Sequence, residues 1–323
     1  MPSHSGEEDD PEKKLCVFYV VILLKQCYNK SQRLPKGSPQ KMLTLINKII
    51  TLILVPIYFS TFSPTYPIIA LFNQPQELIS LSENGVGSDE DPVYLTAHRG
   101  LHALAPENSL PSFEEAVNHG FYSAECDIQL TKDNRWVVIH NAEVDDRFCQ
   151  FGKIADLTLE ELKTFSYNWG ANILKYKDSR IPTLEEYLDV FVGTDTRPQI
   201  EIGIENYDML GVIVEATEER GLVNQAIVLT YNTKQLAAIH ELNPDIELWY
   251  LVDEMTPEVI AEAKALGDNV WLSASYDKNT EENIRLAMSE NINFSLFTVN
   301  TVEEAKALYD MGVRYIETDI LCN

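Results

Sequence analysis

From residue 93 onward the chain alternates short, β-rich apolar runs with stretches of helical period. Nine runs have strand character: 93–98, 123–128, 136–140, 199–204, 226–231, 247–252, 270–274, 294–299 and 314–318. Amphipathic segments at 109–119, 184–192, 209–220, 234–241, 257–266, 280–290 and 302–311 separate most of them. Gly120, Gly221, Gly267 and Gly312 follow four of these helices, where a left-handed residue ends a helix. Alternation of this kind implies a parallel sheet. One run is different. Only Thr131-Lys132-Asp133-Asn134-Arg135 separates it from the strand before, too short for a parallel crossover of about a dozen residues. The run at 136–140 must therefore fold back as the antiparallel arm of a hairpin. Eight parallel strands remain in about 230 residues, which predicts a (β/α)8 TIM barrel. The weakly periodic stretch 141–182 reads as a small insertion above its mouth.

The N-terminal part has another pattern. Residues 49–76 carry no charged side chain, and the richest part, extended back to Leu43, gives 20 residues ending at Phe62. That is close to the ~20 residues of a bilayer-spanning helix. Asn47, Lys48 and Pro56 interrupt it, and a buried helix of a soluble domain is the competing reading. The flanks favour a membrane. Lys25, Lys30, Arg33, Lys36, Lys41 and Lys48 precede the run, and Glu77, Glu83, Asp89, Glu90 and Asp91 follow it. This asymmetry orients the C-terminal part outside the cytoplasm. The expected organisation is a basic and polar extension at 1–41, a signal anchor or signal peptide at 42–76, an acidic linker at 77–92 and the barrel at 93–323. The expected location is membrane-anchored with an extracytoplasmic catalytic domain, or secreted.

Charge narrows the function. Of 25 basic and 50 acidic residues, 8 and 5 fall in residues 1–76, which leaves the remainder at −28. Such a surface excludes attraction to nucleic acid through its phosphates. Five scattered cysteines (Cys16, Cys27, Cys126, Cys149 and Cys322) form neither a disulfide framework nor a zinc-binding pair.

In a (β/α)8 barrel, chemistry gathers at the C-terminal ends of the strands. His98 and Arg99 end the first strand. Glu125 and Asp127, two apart in the second, project from one face, and Cys126 projects from the other. His140 closes the hairpin arm, and Glu201 lies in the third barrel strand. Three carboxylates in one mouth repel unless a cation sits among them or some are protonated. Oxygen-only ligands favour Ca²⁺ or Mg²⁺ over zinc. Two histidines at the same mouth suit a general acid and a general base, and Arg99 suits a phosphate oxygen. Taken singly, each is equally a satisfied polar residue.

The order of these residues resembles the glycerophosphodiester phosphodiesterase family. His98-Arg99-Gly100, Pro106-Glu107-Asn108, Phe113 and Ala116 are similar to its opening loop and first helix. Glu125-Cys126-Asp127, Leu130-Thr131-Lys132-Asp133 and Val137-Val138-Ile139-His140 are similar to its second strand and hairpin. Ile181-Pro182-Thr183-Leu184, Ile200-Glu201-Ile202, Phe297-Thr298-Val299-Asn300 and Thr318-Asp319 follow in family order. The resemblance implies a metal-dependent hydrolase that releases glycerol 3-phosphate and an alcohol from glycerophosphodiesters. It implies His98 and His140 as the acid/base pair, Glu125, Asp127 and Glu201 as ligands of Ca²⁺ or Mg²⁺, and Arg99 on the phosphate. It also implies attack by the substrate's own neighbouring hydroxyl, through a cyclic phosphate that water then opens.

Three positions depart from the family pattern. Gly203 stands where the family usually has Lys, and Lys175 or Lys177 of the insertion is the expected substitute. Asn141 stands where it has Asp beside the hairpin histidine, and Thr230-Tyr231-Asn232 replaces Ser-Phe-Asn. Two alternatives follow: a lysophospholipase D- or sphingomyelinase D-like lipid phosphodiesterase of the same barrel, or a non-catalytic binding homologue. Partners are a glycerophosphodiester or lysolipid substrate and, through the N-terminal segment, a membrane. Glu107 and Asn108 begin the first helix, where capping is one reading, and the resemblance implies a place for Glu107 near the site as the other. His102 is expected to be exposed and outside the chemistry.

Overall fold

The computed structural model describes residues 73–323 apart from 145, 146, 149 and 268. Nearly all of the charge-free N-terminal run, the shorter apolar run at 15–24 and Cys149 lie outside the described residues. No helix among the described residues is long and apolar enough to cross a membrane.

The described strands are β1 (Ile79–Ser80), β2 (Tyr94–Ala97), β3 (Ser123–Leu130), β4 (Trp136–Val138), β5 (Arg197–Ile202), β6 (Ile227–Thr230), β7 (Glu247–Val252), β8 (Val270–Ser275), β9 (Phe294–Phe297), β10 (Tyr315–Thr318) and β11 (Leu321–Cys322). The α-helices are α1 (Leu110–Asn118), α2 (Leu159–Leu162), α3 (Ile173–Tyr176), α4 (Leu184–Asp189), α5 (Leu210–Glu219), α6 (Thr233–Leu242), α7 (Pro257–Leu266), α8 (Glu281–Ser289) and α9 (Val302–Met311). Strands β2, β3 and β5 to β10 pair in parallel, and β10 and β3 both pair with β2, so the eight-stranded barrel closes. Strand β4 runs antiparallel to β3, with Gln129 opposite Val137. The short turn between them permits no other arrangement.

Local chemistry marks where the outer helices begin. Ser109, Thr183, Asn232, Thr256, Thr280 and Thr301 each accept a backbone N–H from the first turn of the helix they precede. Replacing such a cap with Ala typically costs about 1 kcal/mol. The outward faces of the strands, including Leu95, Cys126, Ile200 and Leu272, bury against helix residues such as Phe113, Ile213, Leu236 and Ile284. Inside the barrel the packing is different. Trp249 and Trp271 stack with ring centres 5.2 Å apart, among Ile227, Leu229 and Leu251. Beside them runs a polar chain: Thr96 Oγ1 lies 2.6 Å from Ser123 Oγ, Ser123 donates to Gln199 Oε1 at 3.1 Å, and Gln199 Nε2 donates to Glu317 at 3.2 Å. Fully buried polar groups need such partners.

Residues 77–92, acidic in sequence, supply β1, which pairs in parallel with β11, and bury Leu81 and Val86 completely. The insertion adds the one-turn helices α2 and α3. It lies flat on the opening loop at Gly170, where a Cβ would come within 2.7 Å of Pro106 Cα.

Candidate active site

The turn after β2 is built for close approach. Arg99 has φ 56° and Gly100 φ 74°, and a Cβ on Gly100 would lie 2.3 Å from Ser112 Oγ. Only glycine suits both demands. The turn points the Arg99 amide N–H at Glu125 Oε2, 2.8 Å away, and brings the guanidinium beside Asp127 and Glu107 at 3.5 and 3.0 Å.

Glu107 and Asn108 are not helix caps; that task falls to Ser109. Glu107 instead joins two arginines, Arg99 and Arg147 of the insertion, the second at 2.8 Å. Burial opposes its charge, yet Arg147 and Arg99 hold the carboxyl down at about 2. Asn108, at φ 52°, donates to Asp127 Oδ2 at 2.8 Å and accepts the Asp127 N–H at 3.2 Å. It therefore fixes one of the candidate ligands from two sides.

Glu125, Asp127 and Glu201 each offer an oxygen within 4.8 Å of the others. Glu125 Oε1 is buried without a hydrogen-bond donor. Burial, then the Asp127 charge, pushes Glu125 far above the ordinary carboxylate range and Glu201 up to about 8. A buried, donorless oxygen among mutually repelling carboxylates fits a hard divalent cation, which would neutralise that repulsion.

His98 Nδ1 lies 2.7 Å from Asp319 Oδ1, and its Nε2 lies 4.0 Å from Glu317. Burial works against charge on His98, but the Asp319 bond and the Glu317 field outweigh it and raise its pKa. Glu317 itself, buried inside the barrel, is lifted to about 7. Sequence reading missed it, although Glu317 and Asp319 repeat the two-residue spacing of Glu125 and Asp127. His102, expected to be exposed, instead lies 2.9 Å from the same Asp319 oxygen.

His140 is exposed at the end of the hairpin, with Nδ1 2.8 Å from Asn141 Oδ1. The amide at 141 can thus orient the imidazole but gives it no charge. With Glu107, Asn108, Arg147, Phe148 and Tyr167, His140 lines a small cavity under the insertion. Lys175 is not the expected substitute at the mouth, because it pairs with Glu115 of α1 at 3.7 Å. The insertion's contribution there is Arg147. At Gly203 a Cβ would meet only Gln129 Nε2, at 3.4 Å.

The buried carboxylates set a pH dependence. Between about 4.3, the usual Glu value, and the raised values of Glu201 and Glu317, the folded cation-free protein keeps protons that the unfolded chain has lost. Folding then binds protons, so stability falls as pH rises. The raised His98 acts in the same direction. Thermal unfolding with chelator should show Tm declining from about pH 5 to about pH 8, and a divalent cation should flatten the decline. A chelated Tm that climbs over this range contradicts the assignment.

A parallel (β/α)8 barrel whose mouth joins a cation-fitting carboxylate trio to His98 and two arginines has the groups of an enzyme that handles an anionic substrate such as a phosphate ester. Comparison narrows this to one family. The model of the glycerophosphoryl diester phosphodiesterase family matches residues 98–321, and the chain belongs to that family. It is 25% identical over 267 residues to glycerophosphodiester phosphodiesterase of Bacillus subtilis, covering 75% of this chain and 88% of that one. It is 30% identical over 236 residues to glycerophosphodiester phosphodiesterase of Bacillus altitudinis, covering 69% and 93%. The fold matches an Oleispira antarctica phosphodiesterase, solved in complex with the product sn-glycerol-3-phosphate, with TM-score 0.62, 22% identity and coverage of 75% and 96%. The chain is a phosphodiesterase.

Proposed function

We propose that this phosphodiesterase hydrolyses glycerophosphodiesters to glycerol 3-phosphate and an alcohol, with a divalent cation and two histidines at the barrel mouth. The observation that carries the reading is the donorless oxygen of Glu125 within the carboxylate trio, directly behind the Arg99 turn. Glu125, Asp127 and Glu201 would hold Ca²⁺ or Mg²⁺, which supplies positive charge for the phosphate oxygens.

The chain's own groups do the rest. Arg99, backed by Glu107, faces the phosphate. Asp319 engages His98 Nδ1 and leaves Nε2 as the working nitrogen. One histidine takes the proton of the substrate's 2-hydroxyl as that oxygen bonds to phosphorus. The other gives a proton to the departing alcohol as the old P–O bond breaks. In the second stage water adds to the cyclic phosphate, the roles reverse, and the ring P–O bond to the 2-oxygen opens.

A second reading, hydrolysis of lysolipids, draws on the exposed rings of Tyr207 and Tyr231, which follow β5 and β6 at the mouth end of the barrel. Phosphorus NMR with glycerophosphocholine and lysophosphatidylcholine in parallel separates the two. The first reading expects glycerol 3-phosphate from glycerophosphocholine at no less than the rate on the lysolipid. Turnover of the lysolipid alone would transfer the assignment to lipids.

The run at 42–76 supports a barrel held at a membrane with its mouth outside the cytoplasm, or secreted. Protease protection of the full chain in intact cells tests this: the barrel should be digested from outside or found in the medium. A protected barrel in the cytosol would refute it.

A further inference from the structure

His102 is an ionisable group at the mouth that the phosphodiesterase chemistry leaves unused. It comes from the same turn as Arg99 and Gly100, and its Nε2 lies 2.9 Å from Asp319 Oδ1. His98 Nδ1 lies 2.7 Å from that oxygen. The three atoms are within 4.8 Å of one another, and the three side chains are 24, 23 and 31% exposed, in the order His98, His102, Asp319. Asp319 is held from behind: Asn300 Nδ2 donates to its second oxygen at 2.7 Å, and its N–H donates to Asn300 Oδ1 at 2.8 Å.

We propose that His98, His102 and Asp319 form a second cation site, one that selects zinc, and that filling it takes His98 out of the reaction. Two imidazole nitrogens and one carboxylate oxygen are borderline donors that suit Zn²⁺, whereas the neighbouring trio is all oxygen and suits Ca²⁺ or Mg²⁺. The two sites sit at one mouth yet sort ions by type. Zinc bonds of about 2.0 Å put tetrahedral ligand atoms about 3.3 Å apart, so the present hydrogen-bonded spacing must widen by about half an ångström. Each imidazole must offer a lone pair, so the proton now facing Asp319 moves to the other ring nitrogen or leaves to solvent. Asn300 supplies the outer hydrogen bond that orients the ligand carboxylate. The inhibition rests on the proposed role of His98; the binding does not.

The test uses the full chain with saturating Mg²⁺, titrated with ZnCl₂ by calorimetry and in the hydrolysis assay, each variant scaled to its own zinc-free rate. Wild type and Glu125→Gln should bind one zinc ion with similar affinity. His102→Ala should bind it at least about tenfold more weakly and need correspondingly more zinc for half-inhibition. His102→Gln, which keeps a hydrogen-bond donor near Asp319 but no imidazole, should behave like the Ala variant. Unchanged zinc affinity in both His102 variants would overturn the proposal, as would loss of zinc binding in Glu125→Gln, which would put the ion on the carboxylate trio. If the enzyme shows no hydrolysis, the phosphodiester reading fails, and calorimetry still decides the site.

Discussion

Glu125→Gln should lower turnover by about 10²–10³, a loss typical of removing a main electrostatic group from an active site, while leaving the fold intact. The amide is isosteric, and its oxygen can still accept the Arg99 N–H that Glu125 Oε2 accepts at 2.8 Å. What disappears is a carboxyl that, without a cation, is buried only by holding a proton against desolvation and the charges of Asp127, Glu317 and Glu201. Stability should therefore respond in opposite ways under two conditions. With chelator at neutral pH the variant should melt above wild type, because an amide needs no proton in order to be buried there. With Mg²⁺ or Ca²⁺ the order should reverse, since wild type gains about 2.7 kcal/mol at a cation concentration of 100 Kd and the variant gains less. A crossing of this kind distinguishes a cation ligand from a residue that only packs. If Glu125→Gln melts below wild type in chelator as well, the trio does not carry the strain described here.

His98→Ala and His140→Ala should each cost about 10²–10⁴ in turnover on a glycerophosphodiester with an alkyl alcohol. The two losses should part company when the alcohol is changed. A p-nitrophenyl ester needs little protonation of its leaving oxygen, so the variant lacking the general acid should recover most of its rate. The variant lacking the base should stay slow. The structure makes the comparison informative, because the two histidines are held differently: His98 on the carboxylate of Asp319 and His140 on the amide of Asn141. Equal recovery in both variants, or in neither, would refute a division into acid and base.

Much of this architecture was legible in residue pattern alone. Strand periods and the five-residue turn at 131–135 led to a closed barrel with one antiparallel arm, and the structure has both. Glu125, Asp127 and Glu201 could be grouped because alternation along neighbouring parallel strands determines which side chains share a face, and the structure brings them together. Contacts between segments far apart in sequence were harder to read. Arg147 meets Glu107 only after the insertion folds onto Pro106, and nothing local to either residue announces the pair. Helix capping misled for the same reason: Glu107 and Asn108 stand where caps often do, but Asp127 and the arginines claim them and Ser109 takes the cap. Strands β1 and β11 are two residues each, too short to show a period. Glu317 was the avoidable miss, since its spacing from Asp319 was visible.

The most direct test of the central claim is phosphorus NMR of glycerophosphocholine incubated with the full chain, with Mg²⁺ or Ca²⁺ and then with chelator, beside Glu125→Gln. The account predicts a glycerol 3-phosphate resonance that grows with cation, stops on chelation and is nearly absent for the variant. Equal product formation with chelator and with cation, or by wild type and Glu125→Gln alike, would contradict it.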